Sequence, residues 1–128
     1  GMMPQHMNQY GGFKMQGKSA PAANRILEDA VAVECAGAFA VVLECIPAGL
    51  ASRITERLSI PTIGIGAGAA CDGQVLVNQD MLGMFADFRP KFVRRFADVG
   101  ETMREAFRAY DAAVKSGEFP AAAETLGA

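Results

Sequence analysis

Apolar positions along this chain alternate between two spacings. From Ala22 to Ala36, residues Ala23, Ile26, Leu27, Ala30 and Val31 recur at helical spacing, Arg25, Glu28, Asp29 and Glu34 fall elsewhere, and Gly37 supplies a C-terminal stop. The run Phe39 to Glu44 predicts a strand, halted soon afterwards by Pro47. Ala48 to Leu58 predicts a second amphipathic helix, with Leu50, Ala51, Ile54 and Leu58 on one face and Arg53, Glu56 and Arg57 on another. Pro61 opens a further strand, Thr62 to Ala67, and a turn at Asp72-Gly73 leads into a third, Gln74 to Val77. Residues 1–18, punctuated by Gly11, Gly12 and Gly17, predict a loop.

Helix, strand, helix, strand, strand with short connections is α/β alternation, which implies parallel strands joined by right-handed crossovers. The remainder is different. Pro90 suits the first turn of a helix carrying Phe92, Val93 and Phe96. After Gly100, residues Met103, Ala106, Phe107, Tyr110 and Val114 form a longer stripe ending at Gly117. Core packing is the expected role of these aromatics. The segments are therefore a loop over 1–18, βα units over 19–87, helices over 88–117 and a tail over 118–128, with no long linker dividing them. Three parallel strands cannot close a barrel and leave two edges exposed to pairing, so something further is expected to complete the sheet.

Composition narrows the partners. In 128 residues, 51% hydrophobic content against 20% charged suffices for a core. The balance of 12 basic and 14 acidic residues, net −2, gives no electrostatic reason to bind nucleic acid or an anionic membrane. Apolar runs break well before the roughly 20 residues of a membrane span, and the first residues lack a signal-peptide layout. A cytoplasmic protein acting on small molecules is expected. Cys35, Cys45 and Cys71 are far apart and out of metal-ligand spacing, so reduced thiols are expected and zinc is not. His6, the only histidine, has no second histidine with which to share a metal.

One carboxylate stands out. Strand alternation places Ala40, Val42 and Glu44 on one face and Phe39, Val41, Leu43 and Cys45 on the other, the bulkier set suiting a helix layer. Glu44 then sits at the C-terminal end of its strand, where barrel enzymes keep catalytic groups. Thr62, Gly64 and Gly66 are expected to face the same way, leaving room for a ligand. A glutamate desolvated among Val, Leu and Ile has its pKa raised toward roughly 6 to 7, which suits proton abstraction from carbon. A salt bridge to Arg or Lys from an adjacent strand explains it equally well. Gly64, Gly66 and Gly68 either cradle a phosphate on backbone N–H groups or permit close packing and a turn. Asp72 suits a turn, Asp80 a helix cap or the barrel mouth, and Lys14 either an anionic substrate or solvent.

Several blocks, in order, carry a family resemblance: Met3-Pro4-Gln5, Tyr10 to Gly17, Glu28-Asp29-Ala30, Val42 to Pro47, Ile63 to Gly68 and Asp72 to Val77. Together they resemble the ketopantoate hydroxymethyltransferase family from the first residues to about Pro120. The resemblance implies a (β/α)8 barrel, homo-oligomeric, that transfers a hydroxymethyl group from 5,10-methylenetetrahydrofolate to 3-methyl-2-oxobutanoate in pantothenate and coenzyme A synthesis. It further implies a Mg²⁺ ion chelating the keto acid, and Glu44 as the base that removes the C3 proton.

The same resemblance implies that the family's metal-binding aspartates, and a lysine, a second glutamate and a histidine of its substrate site, lie upstream of the segment present here. His6 follows Pro4-Gln5 and does not replace that histidine. The expectation is a C-terminal portion of the barrel without metal ligands, inactive alone. Two rivals are a non-catalytic half-barrel that self-associates through its edges, and another barrel enzyme using the glycine segment for phosphate.

Overall fold

The computed structural model describes residues 1, 3, 14–85 and 89–127. His6, the breakers Gly11 and Gly12 and most of the predicted N-terminal loop lie outside the described residues. The chain divides into two compact units, Gly1–Leu76 and Val77–Ala128. That boundary precedes the segment end read at residue 87.

The first unit is the α/β part. Helix α1, Ala20–Cys35, begins after Ser19 with Pro21 in its first turn, where the missing N–H of proline costs nothing. It ends at Ala36 and Gly37, whose φ of 91° is the left-handed geometry that closes a helix. Strand β1 covers Val41–Glu44, α2 Ala48–Arg57, β2 Thr62–Ile65 and β3 Gly73–Gln74. The sheet order is β1-β2-β3 and both pairings are parallel. The third strand is shorter than Gln74 to Val77 and starts one residue earlier. Phe39, expected under the helices, precedes β1 and is 91% exposed, because pairing begins only at Val41.

Both helices pack on one face of the sheet. Ala30 of α1, Leu43 of β1, Ile46, Leu50, Ala51 and Ile54 at α2, and Ala67 form a single buried cluster. Complete burial of Ile46 and Ile54 contributes about 1.5–3 kcal/mol each. Gly17 sits against this layer with φ 75°, and a Cβ there would lie 2.7 Å from Leu50 Cδ2. The layer is closed at the N-terminal edge of β2 by the Glu34 carboxylate, which accepts hydrogen bonds from Ser59 N–H (2.6 Å), Ser59 Oγ (2.8 Å) and Ile60 N–H (3.2 Å). The Ser59 hydroxyl and amide hold that carboxyl below the usual glutamate range.

The second unit holds α3, Asn78–Met81, α4, Val99–Ser116, and a 3₁₀ turn at Ala122–Glu124. Three expectations change here. Pro90 opens only a turn, in which Val93 N–H bonds Pro90 O at 3.0 Å, because the following backbone instead bonds back to α3 and its end, Phe96 N–H to Met81 O and Val99 N–H to Leu82 O. Gly100 is not a break but a buried residue in the first turn of α4. The stripe Met103, Phe107, Tyr110 and Val114, expected as core, remains between 41% and 66% exposed. Tyr110 makes an edge-on contact with Phe119, ring centres 5.5 Å apart, and the rest of the stripe stays on the open side of the helix.

Candidate active site

The candidate site is the C-terminal end of β1. Alternation puts Val41 and Leu43 on the helix face, and Leu43 is 2% exposed there, whereas Val42 is 57% exposed on the opposite face that it shares with Glu44. This much follows the sequence. The register then pairs Glu44 with Ile65 and Val42 with Ile63, and residues paired across a sheet share a face. The half-buried carboxylate therefore stands among Val42, Ile63 and Ile65.

Thr62 and Gly64 do not join it. They pair with Val41 and Leu43 and point to the helix layer, correcting the expectation that they line the same face as Glu44. The reason lies in polar satisfaction. A buried hydroxyl needs partners, and the Thr62 Oγ1 finds Thr55 Oγ1 of α2 at 2.8 Å and the Asp72 carboxylate at 3.0 Å, both on the helix side. Gly64 follows by alternation, and a Cβ there would meet Cys71 Sγ and Gln74 Oε1 at 3.0 Å.

Gly66 and Gly68 turn the chain away after β2 with φ of 64° and 84°. A Cβ on Gly68 would lie 2.5 Å from Ala48 Cβ, at the first residue of α2. Close packing thus accounts for Gly64 and Gly68.

The residue after Glu44 has an unusual conformation. Cys45 adopts φ 50°, its N–H donates to Ile65 O and its carbonyl accepts from Gln16 N–H, each at 2.9 Å. Burial, followed by the adjacent Glu44 charge, pushes its thiol above the ordinary range. Beside β1, a cavity of about 560 Å³ lies against α1, lined among others by Gln16, Ile26, Asp29, Val41 and Val42. It follows the edge of β1 that no strand among the described residues pairs, and neither Glu44 nor the glycine segment lines it.

Other candidates are placed as follows. Asp72 is not simply a turn former: its carboxylate accepts from Thr62 N–H at 2.8 Å and from the Thr62 hydroxyl, and these bonds hold its pKa down. No local pattern announces a bond ten residues back. Asp80 lies within α3, whose N-cap is Val77, so it is not the cap. Lys14 is exposed, and its carbonyl accepts from Gln16 Nε2 at 2.8 Å. All three cysteines are free.

Among the described residues, Glu44 belongs to no ion pair; the pairs join Glu101 to Arg104 and Arg108, and Asp111 to Lys115. Nor do any three His, Cys, Asp or Glu side chains among them gather as a metal-binding group. No helix among them is long and apolar enough to cross a membrane.

Comparison with known proteins decides the family. The model of ketopantoate hydroxymethyltransferase matches residues 1–122. The chain belongs to this family. The 3-methyl-2-oxobutanoate hydroxymethyltransferase of Clostridium novyi (strain NT) is 62% identical over 120 residues, covering 94% of this chain and 44% of the relative. The proteins of the same name from Enterococcus faecalis (strain ATCC 700802 / V583) and Cereibacter sphaeroides (strain ATCC 17029 / ATH 2.4.9) are each 59% identical, covering 44% and 43% of the relative. The chain thus spans less than half the length of the curated relatives it matches. Its parallel three-stranded sheet with helices on one face agrees with part of the (β/α)8 barrel expected of a family member.

Proposed function

We propose that this chain is the base-bearing portion of a 3-methyl-2-oxobutanoate hydroxymethyltransferase, a transferase of pantothenate and coenzyme A synthesis in the cytoplasm, with Glu44 as the general base. The observation that carries the reading is the placement of Glu44: a half-buried carboxylate with no ion-pair partner among the described residues, at the C-terminal end of a parallel strand, flanked by Ile65 in a chain of this family.

In the proposed reaction the Glu44 carboxylate takes the C3 proton of 3-methyl-2-oxobutanoate. The electron pair left behind forms an enolate, whose C3 bonds to the one-carbon unit of 5,10-methylenetetrahydrofolate. Both carbon–nitrogen bonds to the folate break, water supplies the new hydroxyl group, and its second proton and the proton taken by Glu44 go to the two folate nitrogens, giving 2-dehydropantoate and tetrahydrofolate. Val42, Ile63 and Ile65 supply an apolar wall beside the base. Any Mg²⁺ acting in the complete enzyme takes its ligands from outside the described residues.

This reading expects no 2-dehydropantoate from the purified 128-residue chain supplied with keto acid, folate donor and Mg²⁺. In a protein of the relatives' full length carrying this chain, Glu44→Gln should abolish solvent deuterium exchange at C3 while keto acid binding persists. Retained exchange in that variant would remove Glu44 from the base role.

A second reading, association of copies into a homo-oligomer through the edge of β1 that no described strand pairs, is favoured by the cavity along that edge. Light scattering that reports a clean monomer would end it.

A further inference from the structure

We infer that Cys45 is a positioning residue for Glu44, acting through its left-handed backbone and not through its thiol. The inference rests on the reading of Glu44 as the base.

Cys45 is the one non-glycine residue with positive φ among the described residues, at 50°. For a residue with a Cβ that region is unfavourable, and such geometry persists where surrounding bonds over-determine it. Those bonds are present. Cys45 N–H donates to Ile65 O, extending the β1–β2 ladder one step beyond Glu44. Its carbonyl is turned to accept from Gln16 N–H, which ties the segment before α1 across the strand end.

The consequence appears in the residues on either side. In an uninterrupted strand Glu44 and Ile46 would share a face. Here Glu44 shares the face of Ile63 and Ile65, while Ile46 is 1% exposed in the helix-side core with Leu43, Leu50 and Ile54. One left-handed residue reverses the alternation, so a carboxylate at the strand mouth and a buried anchor at the start of α2 stand two positions apart. Ile46 in the core fixes one side of Glu44 and the ladder bond at Cys45 fixes the other. A side chain at position 45 needs only to be compatible with φ 50°. The thiol itself, kept protonated by burial and by the Glu44 charge, adds no second charge beside the base.

The test uses the isotopically labelled 128-residue chain with Cys45→Gly, Cys45→Asn and Cys45→Val. Gly and Asn enter the left-handed region readily and a β-branched residue does not. The expected result is that Gly and Asn keep the nuclear Overhauser contact between the Glu44 side chain and the Ile65 methyls and keep the Gln16 amide protected. Val should lower Gln16 protection by about tenfold or more and weaken the Glu44–Ile65 contact. Packing by the thiol predicts the opposite order, with Gly most damaging and Val least, and that order overturns the proposal. Should Val prevent folding, the other two variants decide: loss of Gln16 protection in both also overturns it. No turnover enters these readouts, so failure of Glu44 as base, seen as retained C3 exchange in Glu44→Gln, is a separate result.

Discussion

Leu43 stands opposite Gly64 in the parallel register of β1 and β2. Because Leu43 is buried under α1 and α2, Gly64 lies on the helix side of the sheet, away from the face that Glu44 occupies. The glycine makes room for the returning chain at Cys71 and Gln74, not for a ligand beside the base.

Gly64→Val should therefore act on stability. A first Cβ already comes to 3.0 Å from Cys71 Sγ, and the Gln74 side chain end can yield where two added methyl groups cannot be absorbed. Overpacking of this kind costs about 1–3 kcal/mol. Thermal melts should show a lower Tm for Val than for Ala at this position; equal melting of both with the parent would refute the assignment of Gly64 to the helix layer.

Ile54 is the largest fully buried side chain of α2, clustered with Leu43, Leu50 and Ala51. Ile54→Ala removes three carbons from a site that cannot fully collapse, for a loss of about 2–5 kcal/mol. The urea midpoint should fall by a corresponding amount, and Ile54→Val should fall between the two proteins.

The sequence made the helix and strand types legible where one periodicity held over several residues, as in α1, β1 and α2, and it made the outward direction of Glu44 legible because alternation from Leu43 needs no second strand. Register was not legible. It shifts every β2 side chain to the other face if displaced by one residue, and here it is fixed by Thr62 reaching Thr55 and Asp72, contacts with no local signature. The left-handed turn at Cys45 was hidden for the same reason: cysteine does not announce positive φ as glycine does. In the second unit, Pro90 and Gly100 carried punctuation that longer-range backbone bonds overrode.

Gly100 gives a test in which two effects oppose each other. Alanine is the better helix former by about 1 kcal/mol, which favours Gly100→Ala inside α4. Against that, a Cβ would lie 2.7 Å from Gly83 O and 2.8 Å from Met84 O, both backbone atoms that cannot rotate away. Gly100 N–H also bonds Gly83 O at 3.2 Å, so the segments cannot simply separate. The contact should win. Gly100→Ala is expected to speed hydrogen exchange of the Val99 and Gly100 amides; slower exchange would mean that propensity dominates.

Acid should destabilise the first unit, and the sign follows from Glu34 and Asp72. Hydrogen bonds from Ser59 and from Thr62 hold these two carboxyls below their ordinary values in the folded chain. Between the folded and the ordinary pKa the unfolded chain binds more protons, so stability rises with pH across that interval. The contribution is complete above the usual carboxylate range near pH 4 and is lost as pH falls through the depressed folded values. Both carboxylates are solvent-facing, which keeps each effect small. Tm should be insensitive to these groups between pH 7 and 5, by this argument, and should fall below roughly pH 4. Both Thr62 bonds converge on Asp72 Oδ2. Asp72→Asn keeps an oxygen that can accept them but removes the charge that strengthens them, and with it the titration, so it should melt lower at pH 7 yet lose less on acidification than the parent. A variant whose acid loss equals that of the parent would show that Asp72 contributes nothing to it.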